Sequence, residues 1–160
     1  MIELYSWLAK KYEASEEQIK EVLKNEKASS FLIIWSIFEQ KCFEGFFRKD
    51  KICSFSQIHF TLIQDPMLSN IAKDFYERYQ DKTKYQKLRH GDVYLTADEI
   101  LTKKYDTLSQ QEQFTLLLYV IYRFRNNIFH GNKNVMSWLR SSGQIEQCLK
   151  CMMIILDSKY

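Results

Sequence analysis

The chain has 160 residues, of which 46% are hydrophobic and 27% charged, and its formal net charge is +3. These are the values of one globular domain with a real core, and they exclude intrinsic disorder for most of the chain. With 1 Pro and 4 Gly it has too few turn residues for a β-sandwich or barrel, so an all-α fold of long helices is expected.

In chain order, residues 2–12 read as a short amphipathic helix with Leu4, Trp7 and Leu8 on its apolar side. Ser15 is the expected N-cap of a second helix over 16–24, with Gln18 in the capping-box position. These two make a helical extension over 1–25, and residues 29–157 form the core bundle of a single domain. Ser29 or Ser30 is expected to cap a long helix to about Arg48, whose apolar stripe is Phe31, Ile34, Trp35, Phe38, Cys42 and Phe46. A mixed segment over 49–66 ends at Asp65-Pro66. The next helix is predicted from Met67 to about Leu88. Arg89-His90-Gly91-Asp92 reads as a turn, and 89–108 as a long loop. Ser109 and Glu112 form a second capping box for a helix that runs to about Phe129 and stops at Gly131. A last helix is expected from near Asn134 to Asp157.

No metal and no cofactor is expected. Cys148 and Cys151 have C-x-x-C spacing, but no second pair completes a zinc set, and their apolar helical setting suits buried reduced thiols. The longest apolar run, Phe31 to Phe38, is too short to span a membrane. The opening Met-Ile-Glu-Leu lacks a secretory pattern. A cytoplasmic setting is the expectation.

The informative stretch is Tyr122-Arg123-Phe124-Arg125-Asn126-Asn127-Ile128-Phe129-His130-Gly131-Asn132. Arg125-Asn126 followed by His130, at the end of a long amphipathic helix, resembles the HEPN superfamily of small helical bundles, whose signature is R-x(4–6)-H. The resemblance implies a HEPN-like bundle with two long central helices and a long C-terminal helix. It also implies a metal-independent endoribonuclease of toxin or phage-defence type, acting as a homodimer whose two motifs face each other. One branch of the superfamily is controlled by modification of a tyrosine two residues after the motif histidine. Here Asn132 stands at that place, so a separate antitoxin or regulatory protein is the expected means of control, if any.

Helical geometry adds an independent expectation. At about 100° per residue, with Ile121 as the centre of the apolar stripe, His130, Asn126, Arg123, Tyr119 and Glu112 fall on the opposite, polar side. Arg125 falls inward, about 40° from the stripe centre, and Glu39 does the same on its own helix. A Glu39–Arg125 ion pair is therefore expected to brace the two helices. In the catalytic assignment His130 moves the proton, Arg125 or Arg123 holds the phosphoryl oxygens, and Asn126 positions them, with Asn127 in support. Lys82, Lys84, Lys87 and Arg89, interleaved with Tyr79 and Tyr85, are the expected RNA-binding run. The alternative function is a non-catalytic HEPN module that binds RNA, nucleotide or a partner protein.

Overall fold

A computed structural model describes residues 3–129, Ser137 and 140–159. The described residues are helical, with no strand among them. The helices are α1 (Leu4–Tyr12), α2 (Glu16–Lys24), α3 (Glu26–Phe43), α4 (Ile52–His59), α5 (Pro66–Tyr79), α6 (Lys82–Arg89), α7 (Leu95–Thr102), α8 (Gln110–Phe129) and α9 (Ser142–Lys159). Short 3-10 turns cover Lys49–Lys51, Phe60–Gln64 and Tyr105–Thr107.

Two helix starts follow from local chemistry as the sequence predicts. Ser15 Oγ accepts from the Gln18 backbone N–H, and the Gln18 side chain accepts from Ser15 N. Ser109 and Glu112 repeat this reciprocal arrangement at α8. Each satisfies two backbone donors that a bare helix end would leave to water. The Lys103 ammonium, together with the Ser109 backbone N–H, holds the Glu112 carboxyl below its ordinary value of 4.5. Because the folded-state value is the lower one, this contribution is complete above 4.5 and is lost as pH falls below it. Ser109→Ala is expected to cost about 1 kcal/mol at neutral pH. Glu112→Gln is expected to matter at neutral pH and to lose its effect near pH 3, read by urea unfolding at both values.

Other boundaries differ from expectation. α3 begins earlier, at Glu26, with Asn25 as its cap. It stops at Phe43 rather than Arg48, because Glu44 (φ 54°) and Gly45 (φ 89°) turn left-handed and the Gly45 N–H bonds back to Glu39 O. That reversal exposes Phe46 to 70% and buries Phe47 to 4%, so Phe47 takes the core place expected of Phe46. The long helix expected over 67–88 is two helices. Asp81 breaks it, its carboxylate accepting from Thr83 N and Lys84 N to cap α6. The expected loop over 89–108 holds α7, which buries Ala97 and Ile100. The predicted start of the last helix, near Asn134, lies outside the described residues.

α8 is the axis of the bundle. It packs against α4, α5, α6, α7 and the 3-10 turn Phe60–Gln64, while α3 lies along α9. Every side chain from Phe114 to Ile121 is buried. The polar side predicted for α8 is therefore not a solvent face: Tyr119, Arg123 and Asn126 are all buried. Removing one large apolar side chain from water contributes roughly 1.5–3 kcal/mol, so α8 dominates the core. The aromatic richness of the sequence goes largely into this core. Phe31, Trp35, Phe38, Phe43, Phe47 and Phe55 form one continuous cluster that reaches Tyr122 and Phe114 on α8. Cys148 and Cys151 are buried free thiols, raised by burial. In contrast, α1 contributes no buried residue. Among the described residues no helix is long and apolar enough to cross a membrane.

Candidate functional site

The last turns of α8 carry two polar systems, and a third lies on the neighbouring α6. The first is buried. Arg123, 6% exposed, donates from Nε to Leu88 O at 3.2 Å and from Nη2 to Asn127 Oδ1 at 3.0 Å. Asn127, 1% exposed, donates from Nδ2 to the same Leu88 carbonyl at 2.9 Å. Leu88 lies in the last turn of α6, whose carbonyls have no partner within the helix. Arg123 and Asn127 thus close the C-terminus of α6.

The same system takes hold of the following turn. His90 (φ 46°) and Gly91 (φ 81°) end α6 in left-handed conformations, where a non-glycine residue is strained and glycine is not. Asp92 comes next. Its carboxylate accepts from Lys49 Nζ at 2.7 Å and from the Tyr119 hydroxyl at 3.0 Å, and lies 4.0 Å from Arg123 Nη1. Burial first, and then the Asp92 charge, push the Tyr119 phenol well up. Arg89 also serves this turn, donating to Asp92 O at 2.7 Å and lying 3.6 Å from Asp98. The Arg123, Asn127 and Arg89 side chains are thus committed inside the fold.

The second system lies toward α3. Arg125 is half-buried, with its guanidinium 5.5 Å from the centre of the Trp35 ring, and Nη1 donates to Asn126 Oδ1 at 3.0 Å. Asn126 is the more deeply placed of the two, at 8% exposed. The expected Glu39–Arg125 ion pair is not found among the described residues. Glu39 instead accepts from Trp35 Nε1 and from Phe47 N, each at 3.0 Å. The physical reason is the early end of α3: the reversal at Glu44–Gly45 returns the Phe47 N–H to Glu39, which a helix continuing to Arg48 would not do. Glu39 and Arg125 both meet Trp35, so the indole stands where the ion pair was expected. Glu39→Ala would leave the Phe47 and Trp35 donors without their acceptor, and a loss of about 2 kcal/mol is expected. Thermal melts of Glu39→Ala and Glu39→Gln check this, with the glutamine variant, which keeps an acceptor oxygen, expected to lose less.

His130, Gly131 and Asn132 lie outside the described residues. Of the other histidines, His59 has a close neighbour that the sequence did not suggest, Lys159, with Nε2 and Nζ 2.7 Å apart. His90 occupies the left-handed end of α6.

The third system is α6 itself. Its basic run does not form one surface. Lys84 and Lys87 line a pocket of about 280 Å³ with Arg78, Arg140, Ser137 and Ser141. Lys82 and Arg89 line a different depression, of about 350 Å³, with Tyr85 and Asp98. Tyr79 is buried in the core and Tyr85 is half-buried, its hydroxyl bonded to Asp98 at 2.7 Å. The expected alternation of charges and free stacking rings is therefore absent from α6. Arg78 and Arg140 went unnoticed in the sequence. Arg140 stands about fifty residues beyond α6 in the chain, and Arg78, only four residues before α6, belongs to a separate helix, α5. Only the fold brings them together.

Comparison with family models, with curated proteins and with solved structures gives no match. The chemistry of the site rests on its own residues.

Proposed function

We propose that the chain is a HEPN-like, metal-independent endoribonuclease of toxin or phage-defence type, working in the cytoplasm on single-stranded RNA. The observation that carries this reading is the Arg125–Asn126 pair in the last turn of α8, hydrogen-bonded side by side. In the sequence it keeps the R-x(4–6)-H spacing to His130.

The internal bonds of Arg123 bear on which arginine meets substrate. Its guanidinium is spent on Leu88, Asn127 and Asp92, so the phosphate-holding role falls to Arg125. In the reaction His130 takes the proton of the ribose 2′-hydroxyl. The 2′-oxygen attacks the adjacent phosphorus, Arg125 stabilises the charge on the crowded phosphoryl oxygens, and the bond to the 5′-oxygen breaks. The leaving 5′-oxygen gains a proton. The products are a 2′,3′-cyclic phosphate and a 5′-hydroxyl end.

One protomer supplies one motif histidine, His130, whereas base and acid are both needed. A homodimer that brings together the C-terminal ends of two α8 helices would supply both. The middle of α8 is buried within its own chain, so the contact would involve the helix ends and not its length. The test is RNA cleavage in the presence of EDTA by wild type and His130→Ala, together with solution mass. A requirement for added magnesium or manganese would refute the mechanism.

One observation favours a second reading, a non-catalytic module that binds RNA, nucleotide or a partner protein. Arg125 is already engaged by Asn126 and Trp35, as a structural arginine would be. Absence of cleavage with retained RNA binding would select it.

A further inference from the structure

The pocket between α5, α6 and the residues Ser137, Arg140 and Ser141 has an unusual charge balance. Four cationic side chains line it: Arg78, Lys84, Lys87 and Arg140. No carboxylate is among its described lining residues. Lys84 is shared with Asp81 at 3.8 Å, but both side chains are about half exposed, so that pair is weak. No carboxylate stands at ion-pair distance from Arg78, Lys87 or Arg140 among the described residues. Elsewhere on this protein some cations are matched, as Lys27 and Lys150 are by Glu146 and Lys49 is by Asp92.

A second observation concerns Arg78. Its Nε is buried and has no hydrogen-bond partner. A buried donor without an acceptor costs about 1–3 kcal/mol; the guanidinium itself lies 5.9 Å from the centre of the Tyr79 ring, which holds Arg78 at the pocket wall. The floor, made by Leu88 and Phe124, is apolar and rigid because both are core residues. Phe124 immediately precedes Arg125, so the pocket opens beside the last turns of α8.

We propose that this pocket is a binding site for a phosphomonoester dianion. The charge count decides the class. A backbone phosphodiester brings one negative charge, while a terminal phosphate brings close to two and three acceptor oxygens at neutral pH. Four converging cations, one of them shared with Asp81, match the latter. Arginine forks and lysine point charges are the usual partners of such a group. The volume of about 280 Å³ admits a phosphate with its attached sugar and is at the small end for ligand pockets. The phosphomonoester has two possible sources, a free nucleotide or the 5′-phosphorylated end of an RNA. The proposal stands whether or not the chain cleaves RNA.

Calorimetric titration tests it with inorganic phosphate, adenosine 5′-monophosphate, adenosine, and a short 2′-O-methyl RNA with either a 5′-phosphate or a 5′-hydroxyl. The methylated ribose removes the nucleophile, so failure of the cleavage mechanism does not affect the result. Phosphate and adenosine 5′-monophosphate should bind, and adenosine should not. Binding should weaken about tenfold for Lys87→Gln and again for Arg140→Gln. Both side chains are exposed, so folding, monitored by circular dichroism, should not change. A 5′-phosphate preference of tenfold or more identifies an RNA end as the source. Equal affinity for the two RNAs, with adenosine 5′-monophosphate bound, identifies a free nucleotide. The proposal is overturned if neither phosphate nor adenosine 5′-monophosphate binds, or if the double variant binds them as wild type does.

Discussion

His130→Ala is expected to lower RNA cleavage by roughly 10²–10⁴-fold, the range supplied by a positioned general acid or base. The wild-type rate should be unaffected by EDTA, because in the proposed mechanism the proton acceptor and the phosphate-holding cation are the His130 and Arg125 side chains. Arg125→Ala should fall in the same range. Arg125→Lys should recover only part of it, since an ammonium cannot present the planar fork of a guanidinium. Product ends provide a second readout. A 2′,3′-cyclic phosphate on the 5′ fragment is required by the mechanism, and a 5′-phosphate on the downstream fragment would exclude it. Circular dichroism and melting of each variant separate lost chemistry from lost fold.

Arg123→Ala should behave differently, as a stability variant. Its side chain is nearly fully buried and bonded to Leu88 O and Asn127, with Asp92 at 4.0 Å. Truncation removes two hydrogen bonds from a charged donor and leaves Asn127 Oδ1 without that donor. It also takes one positive charge from beside Asp92. We expect a loss of about 3–4 kcal/mol, seen as a fall in Tm of roughly 6–16 °C for a chain of this length. Urea unfolding and a thermal melt both report it. An unchanged melt would show that the α6 terminus is held by Asn127 alone. The pair of experiments distinguishes neighbouring arginines that look alike in the sequence: Arg125 is expected to act on chemistry, Arg123 on the fold.

Helix starts governed by local rules were legible from the residues. The boxes at Ser15–Gln18 and Ser109–Glu112 involve side chains within one turn of their own helix, so no knowledge of the rest of the chain is needed. α8 was legible as a helix but not in its surroundings. A helical wheel divides residues into an apolar and a polar side and assumes that the polar side meets water. Here Tyr119, Arg123 and Asn127 satisfy their polar atoms with Asp92 and Leu88 O, which come from a turn remote in sequence. Buried polar groups with such partners look, in the sequence, identical to exposed ones. Asp81 is a different kind of miss. It is a good capping residue, and the aligned apolar positions Leu68, Ile71, Phe75 and Tyr79 end before it; Lys82, Thr83 and Gln86 follow where the stripe would continue, so a helix expected to reach Leu88 ignores both signals. The chain reversal at Glu44–Gly45 was overlooked because Phe46 continued the stripe.

The placement of α8 also bears on how the last turns of the helix can move. Loops and lids at many sites open by local unfolding at a small fraction of global stability. The body of α8 packs against α4, α5, α6, α7, α9 and the 3-10 turn Phe60–Gln64, so releasing it means breaking all of these contacts at once. The backbone that carries Arg125 and Asn126 is therefore anchored through the buried middle of its own helix, Phe114 to Ile121, while α1, with no buried residue, can fray at little cost.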